Sequence, residues 1–248
     1  MIKRILLTGL ASAAMASATP VWADPADDAV AAETRTDEDR ALDEGRQPAG
    51  VLRFAAPAEG DIVADFMSGG GYYAAMLADM VGPKGAVYAV NPAGFHNAEA
   101  WEARAAAHRN IRTMPVNPRQ MMLAPRSVDM IFTHLVFHDL YWESERFQFP
   151  RLDEKAVLAN WFAALEPGGH VIVVDHVGPA GETRQVTADL HRIDPATVAR
   201  AMQAAGFVLV DQSDMLRRSD DDTTKNVFDE SVRGKTDRFM MKFQKPTE

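Results

Sequence analysis

Apolar residues along this chain fall into two alternating periods. Short runs at 61–66, 86–90, 111–116, 128–133, 169–175, 207–213 and 237–244 predict strands. Between them, helical spacing predicts helices at 72–81, 98–108, 153–165 and 195–205. The runs Val128-Asp129-Met130-Ile131-Phe132-Thr133 and Gly169-His170-Val171-Ile172-Val173-Val174-Asp175 stay apolar through their centres, as strands buried on both faces do. Leu165-Glu166-Pro167-Gly168-Gly169 predicts a helix stop and a turn back into the sheet. Asp194-Pro195 supplies an N-cap and a first-turn proline, and Gly206 closes the same helix. Strand–helix alternation of this regularity predicts an α/β doubly wound sheet. Upstream, residues 37–54 carry helical spacing broken at Pro48 and predict a helix pair packed at the sheet edge. Residues 24–36 are acidic, alanine-rich and aperiodic, which predicts a flexible leader before an α/β domain over 37–248. There is no internal repeat.

The first residues change the picture of where the protein works. Met-Ile-Lys-Arg precedes an apolar, small-residue run from Ile5 to Ala18, and Val21-Trp22-Ala23 offers small residues at −3 and −1. This pattern predicts a Sec-type signal peptide over 1–23, cleaved after Ala23, with Ala18 the second choice. The run is too short for a membrane span, so no membrane insertion is expected after cleavage. The chain has no cysteine, which excludes a lipoprotein anchor, disulfides and thiolate chemistry. Together these features predict a soluble periplasmic protein. Removing Lys3 and Arg4 from a chain of net charge −9 leaves −11, a poor balance for nucleic acid.

Candidate chemistry starts at Asp65-Phe66-Met67-Ser68-Gly69-Gly70-Gly71. An apolar strand reaches an acidic residue, a glycine turn follows, and a helix begins at once. Glycines allow close backbone approach to a ligand, and the helix start offers free N–H groups, as in nucleotide-binding βαβ units. The second strand ends at Asn91. Ligands bind such sheets outside the carboxyl ends of the strands, so the segments following each strand matter most. His134, His138 and Asp139 follow the fourth strand, and Asp175, His176 and His191 follow the fifth. Four of the seven histidines therefore converge on one rim by topology alone.

Three readings of that rim stay open. His138 or His191 can act as a general base, with Asp139 or Asp194 orienting the ring. Alternatively, His134, His138, His176 or His191 with Asp139 can form a metal site. Or the histidines and Asp175 satisfy loop backbone. Residues 214–236 lie at the same rim, and Arg233, Lys235 and Arg238 form a positive cluster suited to a substrate anion or to pairing with Asp229, Glu230 and Asp237. Tyr72 with Tyr73, Tyr141 and Trp142 can cover a flat ligand or fill core. His96, His108 and His170 take packing or solvent roles, and Asp220-Asp221-Asp222 reads as a solvated loop.

The order of these segments resembles one family. Asp65 to Gly71 resembles the first motif, Asp-x-Gly-x-Gly-x-Gly, of class I S-adenosylmethionine-dependent methyltransferases, with Met67 at the first glycine position. Ser127 to Phe132, Leu165 to Gly169 and Ala205-Gly206-Phe207 resemble the segments opening that family's fourth, fifth and sixth strands. Gly69-Gly70-Gly71-Tyr72, Phe137-His138-Asp139, His191 to Pro195 and Arg233 to Phe239 resemble a narrower family of secreted bacterial proteins known only as predicted methyltransferases. The resemblance implies a Rossmann-like seven-stranded sheet with an antiparallel last strand. It implies S-adenosylmethionine as cofactor, held by Asp65, Ser68, Gly69, Gly70 and Gly71, with Asn91 at the ribose in place of the usual acid. The fourth-strand end near Thr133 and His134 would then face the sulfonium. On the residue reading above, His134, His138, Asp139, His176 and His191 are the catalytic candidates, and Tyr72, Arg233 and Lys235 are the substrate-binding ones. The expected activity is methyl transfer to a small-molecule acceptor; the alternative is a periplasmic ligand-binding or metal-dependent protein on the same scaffold.

Overall fold

A computed structural model of the chain describes residues 24–247; the expected signal peptide lies outside the described residues. Seven strands form one sheet: β1 (Ile62–Phe66), β2 (Ala86–Pro92), β3 (Ile111–Val116), β4 (Val128–His134), β5 (Leu165–His176), β6 (Val208–Ser213) and β7 (Arg238–Gln244). Their order is β3-β2-β1-β4-β5-β7-β6. The first five strands are parallel, and β7 enters antiparallel between β5 and β6. The order reverses between β1 and β4, and the crevice above that switch point is where such sheets bind ligands.

Both faces of the central strands are buried, and successive side chains divide between them. Met130, Phe132, Ile172 and Val174 face one core, while Ile131, Val171 and Val173 face the other. The first core is closed by α5 (Tyr72–Val81), with Trp101 of α6 (Ala98–Ala107) packed against it. The second is closed by α7 (Glu154–Ala164) and α9 (Pro195–Ala204). Helix α5 is buried nearly all round, which is why its sequence is almost wholly apolar. Asp153 and Asp194 accept from the Ala156 and Ala196 N–H groups and cap α7 and α9.

The predicted helix pair over 37–54 is three short helices, α2 (Asp37–Arg40), α3 (Asp43–Arg46) and α4 (Pro48–Ala55). The expected flexible leader is instead largely α1 (Pro25–Ala31), capped by Asp24. Ala26 and Ala29 bury against α4 and α5, and Arg53 of α4 pairs with Asp24 and Asp27. Alanine at those two positions is a packing surface, which composition alone reads as disorder. Leu165-Glu166-Pro167-Gly168-Gly169 does not turn but begins β5, with Leu165 opposite Val128 and the register shifting before Met130. An eighth helix, α8 (Thr183–Leu190), and a 3₁₀ turn, Phe137–Tyr141, complete the rim. The side chain of Asp221, expected in a solvated loop, is fully buried and paired in two contacts with Arg192, at 2.7 and 3.1 Å. Arg192 also donates to the Lys225 and Val177 carbonyls, so this pair fastens the 214–236 loop to the end of β5.

Candidate active site

The turn after β1 is built to leave space. Met67, Gly69 and Gly71 all adopt positive φ, at 55°, 55° and 81°. Met67 thus keeps the left-handed backbone expected of a glycine, at a cost of about 1 kcal/mol for a residue with a Cβ. A Cβ on Gly69 or Gly70 would meet nothing within 4 Å, whereas one on Gly71 would lie 2.6 Å from Trp101. Two of these glycines therefore face open space, and the third lets Trp101 pack beneath the loop.

A cavity of about 230 Å³ lies over this turn, lined by Asp65, Ser68, Tyr72, Tyr73, His134 and Arg46, among others. Asp65 is buried, and its Oδ2 has no hydrogen-bond partner among the described residues. Burial alone pushes its pKa up to about 7. Arg46 lies 4.5 Å above the Tyr72 ring and brings a guanidinium to the same cavity. Tyr72 itself donates to Asp43 at 2.6 Å, and Asp43 also pairs with Arg35. His134 lies 4.5 Å ring to ring from Tyr73, with its Nε2 buried and unpartnered among the described residues. Burial, reinforced by Arg46 and Arg238, holds it well below the usual histidine range and therefore neutral.

Asn91 stands near the end of β2 and lines a cavity. It is buried, its Oδ1 accepts from the Gly69 N–H at 3.0 Å, and its Nδ2 donates to Ser68 Oγ at 3.1 Å. Trp101 Nε1 donates to the Gly69 carbonyl at 3.0 Å. The amide thus braces the glycine turn from the second strand.

A second cavity, of about 450 Å³, adjoins the first along Met67, Gly69, Leu135 and Val136, which line both. Its walls are chiefly aromatic and apolar, with Phe95, Trp142, Phe147 and Phe228 around it. Phe95, Phe147 and Phe228 are exposed and share this lining, an apolar patch of the kind that marks binding grooves. Its polar end is His138, Asp139, His176 and His191.

These four are held differently. Asp175 is fully buried; its Oδ2 accepts from the His138 N–H at 2.8 Å, and its Oδ1 accepts from the His176 N–H at 2.7 Å and from His138 Nδ1 at 2.8 Å. Burial opposes charge on His138, but Asp175 and Asp139 outweigh it and lift its pKa to about 9. Burial raises Asp139 to about 6 and, with the His138 charge, lowers His191 to about 4. His176 Nδ1 lies 2.7 Å from the Thr236 hydroxyl, and burial with the His138 charge keeps it well below the ordinary range.

The histidine rim therefore assembles as the topology predicts, but its orienting carboxylate is Asp175. Asp194 is spent on the cap of α9. Arg233 and Lys235 are exposed and line neither cavity, because the 214–236 loop turns them to solvent; the buried cation of that cluster is Arg238, which donates to the Gly45 carbonyl at 2.7 Å. Asp237 pairs with Arg217, not with that cluster. Tyr72 belongs to the wall of the smaller cavity and not to the aromatic one. Arg46 was not singled out by sequence: it sits in a short helix before the sheet, and no periodicity or motif spacing links it to Asp65.

Residues 64–173 match the family model of a methyltransferase domain. Among solved structures, the chain is similar to an S-adenosylmethionine-dependent methyltransferase from Aquifex aeolicus, at 21% identity and TM-score 0.55, over 85% of this chain and 100% of that one. It is also similar to an S-adenosylmethionine-dependent methyltransferase from Mesorhizobium loti, at 15% identity and TM-score 0.55, over 79% and 96%. No curated protein matches significantly. Sheet order and glycine turn are those of the class I S-adenosylmethionine-dependent methyltransferase fold, and the domain match falls on its first five strands.

Proposed function

We infer that this protein transfers the methyl group of S-adenosylmethionine to a small, largely apolar acceptor bound in the aromatic cavity. The observation that carries the reading is an orphaned buried carboxylate, Asp65, sharing one small cavity with the guanidinium of Arg46. An amino-acid head carries an ammonium and a carboxylate, and this cavity presents the complement of each. Gly69 and Gly70 leave the backbone open beside it. When bound, the cofactor supplies a methyl group on a sulfonium, electrophilic at carbon.

The chain's own residues do the remaining work. Asp65, Arg46 and the Ser68–Gly70 backbone hold the cofactor's amino-acid end. Met67, Leu135 and Val136 separate the two cavities and set the line between donor and acceptor. Phe95, Trp142, Phe147 and Phe228 bury the acceptor's apolar body and exclude water. His138, Asp139 and His191 face its nucleophilic atom, and Asp139 or the neutral His191 receives the proton that atom loses. Most of the rate comes from this alignment. The N-terminal signal pattern supports a periplasmic site of action, and the acidic balance supports a small molecule over nucleic acid.

A second reading, ligand binding without methyl transfer, is favoured by Asn91, whose amide is committed to the glycine turn at the ribose position. Incubation with radiolabelled S-adenosylmethionine and a panel of phenols, thiols and amines distinguishes the two. Labelled product with adenosylhomocysteine release supports methyl transfer; acceptor binding without either product supports the second reading.

A further inference from the structure

His138, Asp139 and His191 come from two rim segments and aim donor atoms at one point. Nε2 of His138 lies 3.5 Å from Asp139 Oδ1, and Nδ1 of His191 lies 3.9 Å from the same oxygen. The three donor atoms lie within 4.8 Å of one another. Ligands about 2.1 Å from a common ion stand roughly 3–3.5 Å apart, so small side-chain rotations close the set.

The surroundings of the trio are those of a metal site. Asp175 has both oxygens occupied, two contacts coming from backbone N–H groups, and it meets His138 through Nδ1 at 2.8 Å. With Nδ1 engaged by Asp175, Nε2 is the ring nitrogen of His138 that faces Asp139 and His191. Carboxylate-to-histidine support of this kind fixes the tautomer and raises the basicity of metal-ligating imidazoles. His191 is presented just as firmly. It adopts φ 51°, a left-handed conformation uncommon outside glycine, as the C-cap of α8. Its ring packs 5.1 Å from both Trp142 and Phe228 and 5.5 Å from His138 at 86°. This left-handed helix stop presents the ring to the cavity.

We propose that His138, Asp139 and His191 bind a divalent transition-metal ion at the polar end of the aromatic cavity, as a two-histidine, one-carboxylate site. Two imidazoles with a carboxylate suit zinc, manganese or ferrous iron better than magnesium or calcium, which take oxygen ligands. All three residues line the cavity, so the remaining coordination positions face the acceptor space, as in open catalytic sites. A heteroatom of the acceptor bound there loses its proton more readily, because the ion stabilises the anion. His176, 6.0 Å ring to ring from His138 and held by Thr236, stands outside the set.

The ion stands on donor geometry and does not require methyl transfer, so its test uses no cofactor. Tag-free full-length protein is stripped with a chelator and titrated calorimetrically with zinc, then with magnesium. Stoichiometric zinc binding at micromolar or tighter affinity is expected, with magnesium far weaker. Asp139→Asn, His191→Ala and the supporting Asp175→Asn should each weaken zinc about 10- to 100-fold. Cobalt loading provides a readout for any variant of reduced stability, because its visible d–d bands report the ligand set and should change in Asp139→Asn. Absence of stoichiometric zinc, or zinc affinity and cobalt spectra unchanged in Asp139→Asn and His191→Ala, overturns the site. That result would leave the cofactor reading at Asp65 intact.

Discussion

Replacing Asp65 by Asn should make the ligand-free protein more stable while destroying its affinity for cofactor. The carboxyl moves from an ordinary 3.8 to about 7 on folding, and burial is the whole cause. A raised acid pKa means the folded chain holds a proton the unfolded chain has released. Stability therefore falls as pH rises from the unfolded carboxyl range to about 7, and the loss is complete above that. At about 1.4 kcal/mol per pKa unit, the ionised carboxylate costs roughly 4 kcal/mol at pH 8. Asn keeps the shape without the charge, and desolvation of its amide offsets part of the gain, leaving about 2–3 kcal/mol. Urea unfolding followed by the fluorescence of the four tryptophans at pH 5 and pH 8 measures this directly. Asp65→Asn should exceed wild type at pH 8 and lie within about 1 kcal/mol of it near pH 5. The same linkage governs binding: an ammonium pairs with the ionised form, so cofactor affinity should fall about tenfold between pH 8 and pH 6. Asp65→Asn less stable than wild type at pH 8 would refute the reasoning, because the carboxylate would then have an unrecognised partner.

Other consequences concern neighbouring residues. Arg46→Met should weaken cofactor binding about tenfold, the loss of one charge-assisted contact, with the thermal midpoint nearly unchanged; calorimetry and a melting curve separate the two. Gly70→Val should melt like wild type, since its Cβ meets nothing and its φ is ordinary, yet lose cofactor affinity by occluding the cavity. Gly71→Ala should lose about 2 kcal/mol in urea unfolding, because its Cβ would collide with Trp101 in a left-handed conformation. Asp221→Ala should lose about 3–5 kcal/mol by stranding the fully buried Arg192, again read from denaturant unfolding.

The sheet was legible because each strand is short, apolar through its centre and followed by a turn or helix signal. The seven predicted strands overlap those in the structure, mostly to within a residue or two, and the four predicted helices coincide as closely with α5, α6, α7 and α9. Local signals misled where context decided. Ala26 and Ala29 carry no hydrophobic pattern of their own, yet two flat alanine faces suffice for α1 to pack. Pro167 and the glycines after it read as a turn, but the pairing of Leu165 with Val128 carries the strand back to residue 165. At the site, topology alone brought His134, His138, His176 and His191 to one rim, because strand ends are fixed by strand order. Distances were not legible: that Asp175 rather than Asp194 supports His138, that Asn91 braces the turn, and that Arg46 reaches Asp65's cavity all depend on side chains meeting across elements far apart in sequence.

On the proposed function, the cavity shared by Asp65 and Arg46 binds S-adenosylmethionine. Calorimetric titration of the purified protein at pH 8 with S-adenosylmethionine and with adenosylhomocysteine tests it most directly. Stoichiometric binding in the micromolar range, abolished by Asp65→Asn in a protein that remains folded, is the result predicted. No binding of either compound at millimolar concentration, or equal binding by the variant, would contradict it.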